Sequence, residues 1–308
     1  MAEARYDAVA DFYATAFDEL DEPASAALLD LLGPPAGLRV LDIACGHGRL
    51  TRELARRGAV VTGADISGAL IGRARAAERA EPLGISYLHA DVAALAALRP
   101  AEQDRDEPDL SGPGGTGFDA VTCNFGLSDI DDLDGAVAAV SAALRPSGWF
   151  VSSILHPCFP GVPGVSASWP PAAGYHDEGF WAADAELSTL RRQVGANHRM
   201  VSTYLNTLRR HGLWLDQMNE PGPAEQWSRS RPGTDRVPVY LAARCLKTAV
   251  PGLAGRAALL GWPADPGREQ VTEADDAAHL AAFHDGQMTE SVQEHDLGRV
   301  FHGGIGRG

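Results

Sequence analysis

Asp42, Gly46, Gly48 and Asp65 fall in one stretch, Val40 to Ser67, with spacing that suits a nucleoside-binding site. Val40, Leu41 and Ile43 form an apolar run of the kind that makes a buried parallel strand. The chain then turns at Cys45-Gly46-His47-Gly48. Glycine serves there because a Cβ would obstruct tight backbone angles and close approach to a ligand. Leu50, Leu54 and Ala55 share one face of the helix that follows, and Gly58 stands just past its end. Ala59 to Gly63 read as the next strand, with Asp65 at its carboxyl end. A carboxylate so placed lies across a crevice from the turn, where open parallel sheets bind nucleotide-like ligands.

The turn discriminates between cofactors. A dinucleotide fingerprint reads GxGxxG and aims its glycines at a pyrophosphate. Here Asp42 heads the turn and the third glycine is missing. An acid beside the turn is expected to repel a pyrophosphate and to tolerate a cationic ligand. The segment resembles motif I of the class I S-adenosylmethionine (SAM) methyltransferases, DxGxGxG, with Ala44 in the first glycine position. The resemblance implies that Asp42, Ala44, Gly46 and Gly48 pass the methionine part of SAM. It gives Asp65, followed by Ile66, the ribose hydroxyls, which its two oxygens can accept.

Ile85 to Val92 reads as a third strand ending in an acid. By the same resemblance Asp91 and the backbone of Val92 meet the adenine; Asp91 also reads as a helix N-cap. Phe118 to Ile154 reads as strand, loop, helix, Pro-Ser-Gly turn and strand, similar to the family's fourth and fifth strands. Asn124 joins the cofactor set and Phe125 the substrate set. The implied fold is an α/β, Rossmann-like, seven-stranded sheet, order 3-2-1-4-5-7-6, strand 7 antiparallel.

The elements that must position these residues follow. Residues 1–36 form a helical cap, with Tyr6, Val9, Ala10, Tyr13 and Phe17 near one face and Pro34-Pro35 as a stop. The resemblance places Tyr13 at the SAM carboxylate; a packing tyrosine is the other reading. Residues 37–154 form the SAM-binding core, and residues 100–117 within it read as a surface loop. Residues 155–197 are an insertion carrying Phe159, Trp169, Tyr175, Phe180 and Trp181. An aromatic, turn-rich excursion from the carboxyl end of a strand suits a lid over an organic methyl acceptor, with Phe180 and Trp181 as contacts. Residues 198–250 complete the core, with a helix over Arg199–His211 and strands over Leu213–Met218 and Val237–Leu246. Glu220 is read on the pocket rim. Residues 251–308 are an appendage and a candidate homodimer contact. Its His279, His284, His295 and His302 match no zinc spacing, so no metal is expected.

His156 closes the fifth strand and is read either as a general base or as a packed histidine that shapes the pocket. His198 and Tyr204 are the alternative bases. Ser153 to Cys158 and Asn197 to Leu205 resemble a bacterial subgroup of small-molecule methyltransferases.

The chain carries 41 acids against 26 basic residues, net −15, which disfavours nucleic acid. So does Cys123-Asn124-Phe125-Gly126, where a nucleic-acid methyltransferase carries an Asn/Asp-Pro-Pro-Tyr/Phe motif. No apolar run reaches the roughly 20 residues of a membrane span. The four cysteines show no CxxC spacing and suit a reducing cytoplasm. Lys247 is the single lysine among 26 basic residues, which points to a GC-rich bacterial genome. The reading is methyl transfer from SAM, leaving S-adenosylhomocysteine (SAH), to a small aromatic natural-product intermediate on oxygen or carbon. A protein or peptide acceptor is the alternative, and a nicotinamide-dependent oxidoreductase the second alternative.

Overall fold

Parallel strands carry apolar side chains on both faces and need helices on each side. The sequence supplies both, and the computed structural model shows how they stack. It describes residues 4–95, 117–161, 167–170, 172–183, 189–223, 225–230, 234 and 236–248. The expectations for residues 251–308, and for 100–117 apart from Gly117, lie outside these.

A 3-10 turn, Asp7–Val9, leads into α1 (Ala10–Ala16) and α2 (Pro23–Leu32). Pro23 opens α2 where its missing N–H costs nothing, and Gly33 ends it at φ 78°. Then come β1 (Arg39–Ile43), α3 (Arg49–Arg56), β2 (Val60–Asp65), α4 (Gly68–Ala80), β3 (Ser86–His89) and α5 (Val92–Leu95). The second half has β4 (Phe118–Asn124), α6 (Leu133–Ala143), β5 (Leu144–Leu155), β6 (Gly179–Trp181), α7 (Thr189–Val194) and β7 (Ala196–His198). It closes with α8 (Val201–Arg210), β8 (Leu213–Asn219), α9 (Glu225–Ser230) and β9 (Tyr240–Lys247).

Seven strands form one sheet in the order β3-β2-β1-β4-β5-β9-β8. β9 runs antiparallel to both β5 and β8, and the other pairs are parallel. Counted within this sheet, the order is 3-2-1-4-5-7-6, as expected for a Rossmann-like methyltransferase. β6 and β7 form a separate antiparallel ribbon inside the insertion. The expected Pro-Ser-Gly turn is a bulge within β5, where the register against β4 shifts and Ser147 takes φ 61°.

α5, α6 and α8 pack on one face through Val92, Val137, Val140, Tyr204 and Leu208. α2 and α3 cover the other through Leu28, Leu31, Leu50 and Leu54, with α4 beside them. Ser67 caps α4 by accepting the Leu70 N–H at 3.1 Å, and Asp132 caps α6 from Gly135 at 2.8 Å. Among the described residues, no helix is long and apolar enough to cross a membrane.

Candidate active site

The loops leaving β1, β2, β3 and β4 open along one edge of the sheet, and a cavity of about 300 Å³ lies there. That is the low end of the range for small-ligand sites. Ala44, Gly46, Asp65, Ile66, Asp91 and Val92 line one side. Asn124, Phe125, Asp129, Ile130 and Asp131 line the other, joined by Leu155 and Tyr240. Arg5, Tyr6, Tyr13 and Phe17 come from the N-terminal segment, and Leu190 and Arg191 from the insertion.

The backbone is bent at both rims. Ala44 has φ 50° and Phe125 φ 60°, a left-handed region that side-chain-bearing residues rarely enter. The angle at Ala44 explains why glycine is the common residue there. Gly126 makes the alanine tolerable, because a Cβ on Gly126 would lie 2.5 Å from the Ala44 Cβ. The two positions share the space of one methyl group.

Asp65 is buried, 7 % exposed, and each of its oxygens holds one backbone N–H. Oδ2 accepts from Gly46 at 2.7 Å and Oδ1 from Ser67 at 2.8 Å. Burial pushes its carboxyl above the ordinary value, and the two N–H groups pull it back. Each oxygen keeps a further lone pair for a ligand hydroxyl. Asp91 accepts the Ala93 N–H at 3.0 Å, so it caps α5 while lining the cleft. Tyr13 stands edge-on to His47 at 5.7 Å and to Tyr6 at 5.0 Å.

Asp42 and Gly48 do not line the cleft, contrary to expectation. Asp42 is 1 % exposed behind the turn and accepts from Thr51 at 2.6 Å and Thr122 at 2.8 Å. Its carboxylate ties β1 to α3 and β4, and desolvation raises it to about 6. It therefore cannot face a pyrophosphate, and its role in the turn is structural. Gly48 has φ 91° and starts α3; a Cβ there would meet the Tyr87 hydroxyl at 2.5 Å.

The three candidate bases are also placed away from the cleft. Nδ1 of His156 accepts the Cys158 N–H at 3.0 Å, so Nε2 carries the proton and donates it to Glu220 at 2.8 Å. Neither nitrogen is left to take a substrate proton, and burial lowers the imidazole. The packed-histidine reading fits; Glu220 is its partner and not a rim residue of the cavity. Nε2 of His198 is bonded to the Tyr175 carbonyl at 2.8 Å, and its ring packs on Trp169. Tyr204 lies in the core under α8, where burial pushes its phenol to about 12.

The insertion reaches the cleft through Leu190 and Arg191, not through its aromatics. Trp181 is buried and donates to the Ser168 carbonyl at 3.1 Å. Phe180 is 55 % exposed, with the Arg5 guanidinium 5.0 Å over its ring. Sequence reading missed the network that spans the cleft. Tyr6 donates to Asp129 Oδ2 at 2.7 Å, Arg191 donates to Asp129 Oδ1, and Arg5 pairs with Asp131 at 2.8 Å. Asn197 donates to Asp131 at 2.9 Å, and Arg199 holds the carbonyls of Leu127, Ile130 and Asp131. The acid run Ser128 to Asp134 was a signal for one partner; Arg5 and Arg191 carried none.

The family model described as a methyltransferase domain matches residues 1–219. The chain belongs to the class I SAM-dependent methyltransferases. This methyltransferase is 37 % identical over 125 residues to a ubiquinone biosynthesis O-methyltransferase of Alkalilimnicola ehrlichii, covering 41 % of the chain and 44 % of that protein. It is 29 % identical over 174 residues to one of Thiobacillus denitrificans, covering 54 % and 68 %. For the first of these the methyltransferase spans less than half of the relative's length. An S-adenosylmethionine dependent methyltransferase from Mesorhizobium loti superposes with a TM-score of 0.53 at 29 % identity, over 72 % of this chain and 96 % of that one.

Proposed function

We propose that this methyltransferase holds SAM on the β1–β3 side of the cleft and methylates a small, neutral, ring-bearing acceptor on the β4–β5 side. The observation that carries the reading is the excess of negative charge around the cleft. Asp65, Asp91 and Asp132 are held by backbone N–H groups, so their charge remains to attract a cation. Glu22, Asp129 and Asp131 are instead paired with Arg49, Arg191 and Arg5. Six carboxylates thus face three guanidinium groups around one cleft. Of the three held by backbone N–H groups, Asp65 and Asp91 stand on the β1–β3 side, where the cofactor would lie, and Asp132 on the β4 side.

The residues fit SAM. Asp65 offers two acceptor oxygens for ribose hydroxyls, and Asp91 offers one to an adenine amino group. When bound, SAM supplies a methyl group already activated on a cationic sulfur. The protein has to hold the acceptor in line and exclude water, which alone accounts for a large share of such rate gains. Phe125 and Tyr240, 6.0 Å apart and edge to face, with Leu155, Ile130 and Leu190, give the acceptor side an aromatic and aliphatic wall. A flat ring suits that wall, and oxygen or an electron-rich ring carbon is the site methylated. Among the described residues no histidine lines the cleft. Four free cysteines suit a reducing compartment, so we place the reaction in the cytoplasm.

Calorimetry with SAH, followed by transfer of labelled methyl from SAM to a panel of phenols and to peptides, tests the reading. SAH binding with label on the phenols is expected. Label appearing on peptides alone would overturn the acceptor class, and failure to bind SAH would overturn the whole proposal.

A further inference from the structure

We propose that the Tyr6 hydroxyl oxygen receives a hydrogen bond from the substrate's own hydroxyl, so that the cleft selects a neutral, protonated ring alcohol or phenol. The inference rests on the methyl-transfer reading above. Tyr6 lines the cleft, and its hydroxyl hydrogen is committed to Asp129 Oδ2 at 2.7 Å. A carboxylate can only accept, so the direction of that bond is fixed by chemistry. The carboxylate itself cannot turn freely. Arg191 holds its other oxygen and also donates to the Gly195 carbonyl at 2.9 Å. Arg5 holds the Asp129 carbonyl at 2.7 Å. Tyr6 therefore has lone pairs, and no free hydrogen, to offer a ligand in the cleft that it lines.

The same surroundings keep Tyr6 protonated. Burial and the neighbouring Asp129 push its phenol well above the ordinary value; Arg191 opposes them and Tyr13 adds to them. A group that accepts without ionising orients a substrate hydroxyl and disfavours a phenolate, which would meet it lone pair to lone pair. When the hydroxyl oxygen is methylated, its proton passes to Tyr6 Oη as Tyr6 passes its own to Asp129 Oδ2, so Tyr6 stays neutral and the carboxylate takes the proton. The ether product has no hydrogen to donate and loses the contact. The device therefore distinguishes substrate from product with a single atom, in a cleft that no histidine lines among the described residues.

The test uses the full-length protein saturated with SAH and two probes of one shape, 4-nitrophenol and 4-nitroanisole. 4-Nitrophenol should bind about tenfold more tightly than its methyl ether, the effect of one well-made hydrogen bond. It should bind as the neutral form, read as loss of the yellow phenolate absorbance. Tyr6→Phe should bring the two affinities together while leaving SAH affinity within about twofold and the unfolding transition cooperative. Asp129→Asn should release the Tyr6 hydrogen and raise the share of bound phenolate. The proposal is overturned if the probe binds as phenolate to the unaltered protein, if Tyr6→Phe keeps the preference, or if neither probe binds the SAH complex. A parallel loss of SAH affinity in Tyr6→Phe would instead assign Tyr6 to the cofactor. Failure of the unaltered protein to bind SAH is a separate result and strikes the methyl-transfer reading itself.

Discussion

The two sides of the cleft are built by different means. On the cofactor side each wall is a strand end or the turn after it: Ala44 and Gly46 after β1, Asp65 at the end of β2, Asp91 after β3. Their partners are backbone N–H groups nearby in the fold, such as Ser67 for Asp65 and Ala93 for Asp91. On the acceptor side the wall is assembled from segments far apart in the chain. Arg5 and Asp131 are separated by 126 residues, Tyr6 and Asp129 by 123. A site made from strand ends comes with the sheet, whereas one made from distant ion pairs must be completed by docking of the N-terminal segment and insertion. The first kind suits a ligand shared by a family, and the second suits one that differs between members.

The largest effect is expected where the acceptor side is knotted together. Arg191→Met leaves Asp129 without its cation in a largely buried setting. It should cost about 3 kcal/mol of stability, the low end for a broken buried pair. Adding Asp129→Leu should recover much of that loss in urea unfolding. No recovery would mean the pair is not the knot.

On the cofactor side, Asp42 makes a pH-dependent contribution of similar size. Its carboxyl sits at about 6 in the fold against an ordinary 3.8. Between about pH 4 and pH 6 the folded chain keeps a proton that the unfolded chain releases, so stability from this group falls as pH rises through that window and is level above it. At about 1.4 kcal/mol per unit, the fall is at most about 3 kcal/mol. His156, lowered by burial, acts in the opposite sense below its ordinary 6.5, so the comparison must be with a variant. Asp42→Asn should remove the Asp42 slope, seen as a wild-type-minus-variant difference that changes between pH 4 and pH 6. A constant difference would show that Asp42 is not held protonated.

Asp65→Ala should weaken SAH binding by about 1.5–3 kcal/mol, the range for hydrogen bonds to a charged group. Unchanged affinity in calorimetry would move the cofactor away from β2. The smallest effect belongs to the outer edge of the acceptor side. Phe180→Leu removes the ring under Arg5 and should cost about 0.5–1 kcal/mol, the value of an exposed cation–π contact. A shift in Tm well beyond that would show that Phe180 carries more of the N-terminal strap than its exposure suggests.

Much of the cofactor side was legible because its signals are local. Glycine spacing, the acid after each apolar run and the helix periodicity lie within about 30 residues of one another, the length of a βαβ unit. The reading failed where orientation mattered. Asp42 and Asp65 look alike in sequence, yet Asp42 is in register with Gly63, two residues short of Asp65 on the same face of the sheet, so it lies deeper, beneath the turn, while Asp65 at the strand end reaches the cleft. His156 has the position of a base, but the adjacent Cys158 N–H and the distant Glu220 absorb both ring nitrogens.

The sequence by itself determined the sheet and the cofactor edge. Strand patterns, turn glycines and terminal acids have short-range physical causes, and a parallel sheet fixes where strand ends meet. Only the tertiary structure decided which residues line the opposite side of the cleft. Arg5, Tyr6, Asp129 and Arg191 come together through long-range closure of the N-terminal segment and the insertion over one loop. No periodicity records such a meeting, because a hydrogen bond between residues 123 apart depends on every turn between them.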